Sequence, residues 1–309
     1  MPGRDAIEPP GYIYFPGCAL KNHAVAYEES LRTVFHLLAL PLQELPDWNC
    51  CGAASSMAIG EEDAYVLAAR NLAIAQQHGA LELLAPCGAC YQALRKTLAR
   101  IHRYPDVRHH VERAMARAGL PFPNLVRVRH PLEVLFTDVG EARIADAAKH
   151  RWTGGRVACY YGCQVAGPYA EVDETCPPTR MDELLAAAGI PTVEYPLKTH
   201  CCGGSLTGPT TEVGTELNSM LLDEAVRKGA EAIVTICPLC QFNLEVQQRE
   251  IRAKTGVFID MPILLLPQVL GWVFGADARA LGLHRAISGR DVLREWLTKG
   301  DGRETHGHR

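Results

Sequence analysis

Ten of the twelve cysteines in this chain fall into two copies of one spacing. Cys18, Cys50, Cys51, Cys87 and Cys90 read C-x31-C-C-x35-C-x2-C. Cys163, Cys201, Cys202, Cys237 and Cys240 read C-x37-C-C-x34-C-x2-C. Each set holds two adjacent cysteines followed by glycine, in "DWNCCGAAS" and "KTHCCGGS". Neighbouring cysteines rarely bond to each other, because the ring they would close is strained. They suit a metal centre better, with further ligands arriving from elsewhere in the chain. A structural zinc takes four ligands, and C-x2-C pairs are its usual mark. A cubane iron–sulfur cluster also takes four cysteines. Five per set exceed both requirements. The same surplus at matching positions argues for joint use, and a centre with several irons and an irregular shape could use all five.

The elements that must position these thiols repeat as well. Cys18 and Cys163 lie 145 residues apart, Cys51 and Cys202 lie 151 apart, and Cys87 and Cys237 lie 150 apart. A near-constant offset is the mark of a duplicated unit. "YIYFPGCAL" matches "VACYYGCQV", each an apolar β-prone run ending in Gly-Cys. "HGALELLAPCGAC" matches "KGAEAIVTICPLC", each with a glycine, a short apolar strand and then Cys-x-x-Cys. Before them, Glu61 to His78 and Glu212 to Lys228 carry helix-forming residues at helical spacing. Gly79 and Gly229 stand where such helices would close in a left-handed residue. Strands alternating with helices predict an α/β fold: two duplicated domains with pseudo-twofold symmetry, each a small, mostly parallel sheet with flanking helices. The halves are placed at residues 1–152 and 153–309, joined through "EARIADAAKHRWTGGR" at 141–156. In this scheme Cys18 and Cys163 end a strand and open a helix, and the C-x2-C pairs follow the next clear strand. Five sulfurs then meet at the strand C-termini of each half, the edge where α/β sheets bind ligands.

The bulk composition narrows the function classes. A net charge of −4 gives no general reason to expect nucleic-acid binding. The N-terminal stretch lacks the apolar core of a signal peptide. The most apolar stretch, "MPILLLPQVLGWVFG" at 261–275, is short for a membrane span and contains two prolines, so it reads as buried core, with a docking surface as the rival. Cysteine-rich chains without an export signal use thiols for metal or redox chemistry in a reducing cytoplasm.

The two five-cysteine sets closely resemble the CCG domain of the heterodisulfide reductase B subunit. "FPGCAL" and "CCGAAS" resemble its first half; "VACYYGC", "MDELLAAAGI", "KTHCCGGSL" and "ICPLCQFNL" resemble its second. The likeness extends to "PQVLGWVFGADARALGL" near the C-terminus. It implies a noncubane [4Fe-4S] cluster on all five cysteines of each set, and clusters that cleave or form a disulfide between them. It also implies two partners, a C-like iron–sulfur subunit and a flavin-bearing A-like subunit. The chain has no G-x-G-x-x-G motif after a strand with which to bind flavin or nicotinamide itself. An Ala-, Arg- and Leu-rich composition leans toward the bacterial, sulfur-oxidising branch, whose substrate is sulfur carried on lipoate-binding proteins. Two departures stand out: the x34 gap is one residue short of the family range, and "YYGCQVAGPY" stands where the family more often has an arginine and proline soon after the cysteine.

Other side chains invite weaker readings. His200 and Lys198, just before the second Cys pair, are candidate proton donors for a thiol product. A polar loop side chain near the cluster is the equal alternative for His200; His23 and Lys21 after Cys18 could serve likewise, with the polar loop reading favoured there. Cys159 reads as a buried strand thiol and Cys176 as a loop thiol, with a redox or partner-facing role as the sharper alternative. "RIHRYPDVRHHVER" at 100–113 reads as a solvated helix face, and the tail "THGHR" as disordered. Two other functions stay open. One is an electron-transfer CCG subunit of a dehydrogenase complex. The other is a zinc-stabilised scaffold, including a mixed case with zinc in one half.

Overall fold

The computed structural model describes residues 11–54, 60–173, 175–206 and 210–300. The segments "MPGRDAIEPP" and "THGHR" lie outside the described residues. Two four-stranded sheets, both entirely parallel, make up the scaffold. The first holds β1 (Tyr12–Tyr14), β2 (Leu42–Glu44), β3 (Glu82–Leu84) and β4 (Arg127–Arg129) in the order β2-β1-β3-β4. The second holds β5 (Val157–Tyr160), β6 (Thr192–Val193), β7 (Ala232–Thr235) and β8 (Ile263–Leu265) in the matching order β6-β5-β7-β8. Equal order and direction in both sheets are what a duplicated unit produces.

Parallel neighbours require crossovers, and helices supply them. In the first half these are α1 (Gly17–Leu20) with α2 (Val25–Leu37), then α3 (Glu61–Gln77), then α4 (Gly88–Arg103) with α5 (Pro105–Ala118). After β4 come α6 (Pro131–Val134), one π-helical turn (Leu135–Val139) and α7 (Gly140–Ala147). In the second half α8 (Arg180–Ala187), α9 (Thr211–Arg227) and α10 (Pro238–Thr255) make the crossovers, and α11 (Leu266–Val273) and α12 (Arg290–Gly300) follow β8. Gly79 and Gly229 close α3 and α9 with φ of +75° and +76°, as their positions predict.

The halves share a core. The apolar stretch 261–275 is buried, as strand β8 and helix α11, and α11 packs on α2 of the first half. Trp152, in the connector, meets Trp272 and Trp296 edge-on at 5.0 and 5.7 Å. Arg285 pairs with Glu29, and Thr33 donates to the Ala280 carbonyl. Segment 100–113 is only partly a solvated face: Ile101, Val107 and Val111 are buried and pack with Tyr65, Ala69 and Ala73 of α3.

One expected element is missing. Cys18 does open a helical turn, but the chain after Cys163 is irregular. Gly162 takes φ +75°, and Gly167-Pro168 follows within one helical turn's reach. Proline disfavours a helical residue before it, and glycine weakens the turn preceding it.

Candidate metal centres

Each cysteine set gathers at the C-terminal ends of its sheet. Cys18 follows β1 and Cys87 follows β3; Cys163 follows β5 and Cys237 follows β7. Cys87 and Cys237 are the N-cap residues of α4 and α10, so Cys90 and Cys240 sit in the first turn. Free N–H groups and the positive end of the helix dipole face the ligand side of these turns. The adjacent cysteines come from the loops before α3 and α9. Gly52 N–H points at Cys50 Sγ (3.5 Å), and Gly203 N–H points at Cys201 Sγ (3.3 Å).

The sulfurs of each set interact with one another. In the first half Cys50 acts on the ionisation of Cys18 and Cys51, and Cys51 and Cys87 act on that of Cys90, all as free thiols. In the second half Cys202 Sγ lies 3.6 Å from Cys240 Sγ, and Cys237 and Cys201 act on the ionisation of Cys240 and Cys163 as free thiols. Burial grades alike in both: Cys18 and Cys201 are exposed, Cys50 and Cys163 half-buried, and the remaining six buried.

This crowding has an electrostatic consequence. Hydrogen bonds from Cys50 and Cys90 push the Cys51 thiol down, and one from Cys240 pushes Cys202 down to about 7. The neighbours rise in return: Cys90 through Cys51 and Cys87, and Cys240 through Cys202 and Cys237. Burial lifts Cys163 to about 12, with Cys201 adding to it. Five thiols this close cannot all ionise unless a cationic core compensates their charge. The donor set therefore fits a polynuclear cationic group. Among the described residues, no group of three or more His, Cys, Asp or Glu side chains is arranged to hold a metal ion with the thiols packed in this way.

Glycine makes room for the sulfurs. A Cβ on Gly17 would lie 2.9 Å from Cys90 Sγ, and one on Gly162 would lie 3.0 Å from Cys240 Sγ. Both residues also have positive φ. Gly162→Ala is expected to lose about 1 kcal/mol to the left-handed backbone and also to displace Cys240. Gly229→Ala carries the same backbone strain, but its nearest neighbour is Arg156 Nη1 at 3.9 Å. Both variants should melt earlier, and only Gly162→Ala should lose bound metal. Equal metal content in the two would refute the steric role.

Polar side chains pin the loops. Asn218 and Asn243 both donate to the Cys202 carbonyl at 2.7 Å, and Asn71 bonds both backbone groups of Asn49. The N–H groups of Tyr161 and Gly162 donate to the Lys198 carbonyl, joining the Cys163 turn to the Cys201 loop. The Lys198 ammonium bonds both Asp182 oxygens (2.9 Å each) and the Pro178 carbonyl (3.0 Å). His200 is exposed, and its carbonyl accepts from Tyr160 Oη at 2.6 Å. Lys21 pairs with Glu28 and Glu44, and His23 stacks on Phe242 at 5.4 Å. Cys159 is fully buried in β5, and burial pushes its thiol up; Cys176 is exposed in a loop.

The two sets face one interface. A Cβ on Gly88, beside Cys87, would lie 3.2 Å from Val165 and 3.7 Å from Cys237 Sγ. A cavity of about 440 Å³ is walled by Cys51, Tyr65, Gln92 and Lys96 from the first half and by Gln164 and Tyr169 from the second. Arg95 bonds Glu171 and the Tyr169 carbonyl, and Tyr91 Oη accepts from Glu171 N–H at 2.9 Å. Sequence reasoning passed over the buried Tyr27, Tyr91 and His130 at this interface. His130 had one legible signal: it directly follows a strand, at the same sheet edge as the cysteines.

The cysteine-rich CCG domain matches twice, at residues 12–95 and 157–245, together more than half of the chain. The chain belongs to the CCG family. It is 28% identical to a protein of Archaeoglobus profundus described as like the heterodisulfide reductase B subunit, over 86% of this chain and 91% of that one. The B subunit of a ferredoxin/F420H2-dependent CoB-CoM heterodisulfide reductase of Methanosarcina acetivorans is 26% identical, over 88% and 91%. An 8-methylmenaquinol:fumarate reductase membrane anchor subunit of Wolinella succinogenes is 27% identical, over 89% and 96%. Among solved structures, a hypothetical protein of Helicobacter pylori shares the fold, with a TM-score of 0.69 at 14% identity. The match covers 89% of this CCG chain and 51% of that one. No helix among the described residues is long and apolar enough to cross a membrane.

Proposed function

We propose that this chain is the catalytic B-type subunit of a heterodisulfide-reductase-like complex, which makes or breaks a disulfide at two noncubane [4Fe-4S] clusters. One cluster would be held by Cys18, Cys50, Cys51, Cys87 and Cys90, the other by Cys163, Cys201, Cys202, Cys237 and Cys240. The observation that carries this reading is that both cysteine sets meet one inter-half interface, with Cys237 Sγ beside Gly88. The units divide at 152/153, within the connector.

When bound, the clusters supply single electrons and Lewis-acidic iron to the two sulfurs of the bond. The balance is RS–SR′ with two electrons and two protons giving RSH and R′SH, or the reverse. The chain's own residues do the holding. The cavity walls from both halves confine the substrate, which makes the encounter effectively intramolecular. His200 is the proposed proton donor; Lys198, tied to Asp182, fixes the loop that carries it. Electrons pass through a C-like iron–sulfur subunit and a flavin-bearing A-like subunit. The substrate is sulfur on a lipoate-binding protein in cytoplasmic sulfur oxidation.

A second reading draws on the Wolinella relative, matched over 96% of its length. There the same centres would only pass electrons within a respiratory complex. Anaerobically prepared protein should absorb broadly in the visible and hold about eight irons with matching labile sulfide. A colourless protein containing zinc alone would sink both readings and leave the scaffold. Reduction of a small disulfide by the reduced, loaded protein separates the first reading from the second.

A further inference from the structure

Two buried side chains outside the cysteine sets lie between them. Tyr27, on α2, donates its hydroxyl to the Ile236 carbonyl at 3.1 Å. Ile236 directly precedes Cys237. Cys87 and Cys237, one from each set, are the two thiols close enough to act electrostatically on that hydroxyl. His130 is fully buried just after β4. Its Nδ1 accepts from Leu132 N–H at 3.1 Å, which leaves the proton on Nε2. Nε2 donates to the Pro86 carbonyl at 3.0 Å. Pro86 directly precedes Cys87.

The peptide groups that lead into both C-x2-C turns are thus held by two side chains of the first half. The second half has no counterpart to the histidine: where β4 runs into His130-Pro131, β8 runs into Leu266-Pro267. A carbonyl that accepts a hydrogen bond polarises its own peptide, and the N–H on the other side becomes a stronger donor. Those N–H groups belong to Cys87 and Cys237.

We propose that Tyr27 and His130 are positioning residues that form a one-sided bridge, by which side chains of the first half hold the C-x2-C turns of both. Through it the second half's centre depends on side chains of the first. The dependence of the centre rests on the two-cluster reading; the mechanical bridge does not.

The test uses the full chain, prepared anaerobically, with Tyr27→Phe, His130→Leu and His130→Gln. Tyr27→Phe should keep wild-type iron and sulfide. It should speed amide exchange at residues 236–241 about tenfold, the scale of one net hydrogen bond, with the sheets unchanged. His130→Leu should loosen 86–91 as well, and His130→Gln, which keeps an N–H donor, should restore protection. In a Cys50→Ser background, where only the second centre remains, adding Tyr27→Phe should shift the paramagnetic resonance g-values of the reduced protein. Wild-type exchange at 236–241 in Tyr27→Phe, or a uniform rise across the whole fold, would overturn the bridge. Faster local exchange with unchanged g-values would overturn the dependence of the centre. A chain that binds no iron would defeat the cluster reading, and the exchange comparison would still decide the bridge.

Discussion

Cys202→Ser is expected to hold about half of the wild-type iron and labile sulfide, and Cys50→Ser to hold the complementary half. Each cysteine set is carried by its own sheet, and the two sheets share no strand. Cys202 is buried against Cys240 and sits at the centre of its set. A serine hydroxyl there ionises far less readily than a thiol and is a poorer ligand for iron. The first set keeps all five sulfurs in this variant, so its absorption and resonance signals should persist. The variant should also unfold at a lower temperature, since the unfolded chain has no assembled site and the lost binding energy was folding energy. Iron analysis with resonance spectroscopy on both variants checks the outcome. Loss of both centres from either substitution would show that the halves are not separate metal units.

How much of this was legible in the sequence depends on the range of the interactions involved. Gly79 and Gly229 announced their helix ends because the left-handed residue is a local requirement. The C-x2-C turns were legible for the same reason, since an N-cap and its first turn are contiguous. The contribution of α5 was hidden. Its segment looked like a basic, solvated face, yet Val107, Val111 and Met115 cover Tyr65, Ala69 and Ala73 of α3. The second half passes from α10 to β8 through a short loop, with no helix like α5. The matching positions on α9 are Thr215, which is buried against Gln247 of α10, and Ser219 and Asp223, polar as a face without an α5 to cover it requires. Reading that asymmetry from sequence needs both helices aligned and the insertion between strands noticed. Tyr27 and His130 were out of reach for a different cause. Their partners are carbonyls, which carry no residue-type signature, and Tyr27 lies 209 residues from Ile236. Cys163 misled because its Gly-Cys prefix copies that of Cys18, while the Gly167-Pro168 break comes only afterwards.

Glu245→Gln is expected to stabilise the protein at pH 8 and to leave it nearly unchanged at pH 5. Glu245 projects from α10 among buried residues and lines a cavity of about 170 Å³ with His23, Gln241 and Gln268. The cation in that lining, Arg285, is already paired with Glu29. Burial therefore pushes the Glu245 carboxyl up to about 7, against the opposing pull of the Ile287 and Ser288 N–H groups. A carboxyl whose folded-state value lies above its unfolded one favours the folded state while protonated. That contribution is complete below the unfolded value, near 4.5, and disappears as pH rises through about 7. Across that window the loss accumulates to on the order of 3 kcal/mol, complete once the group is ionised in the folded state as well. Glutamine has the same shape, keeps an oxygen for the Ile287 N–H now accepted at 3.1 Å, and never ionises. The wild type should lose stability between pH 5 and 8, and the variant should show a flatter curve that meets it near pH 5 and lies above it by neutrality. Thermal unfolding of both proteins across this range decides the matter. Parallel curves would mean that Glu245 is neutralised or hydrated in the folded state, and that its burial does not govern the pH dependence.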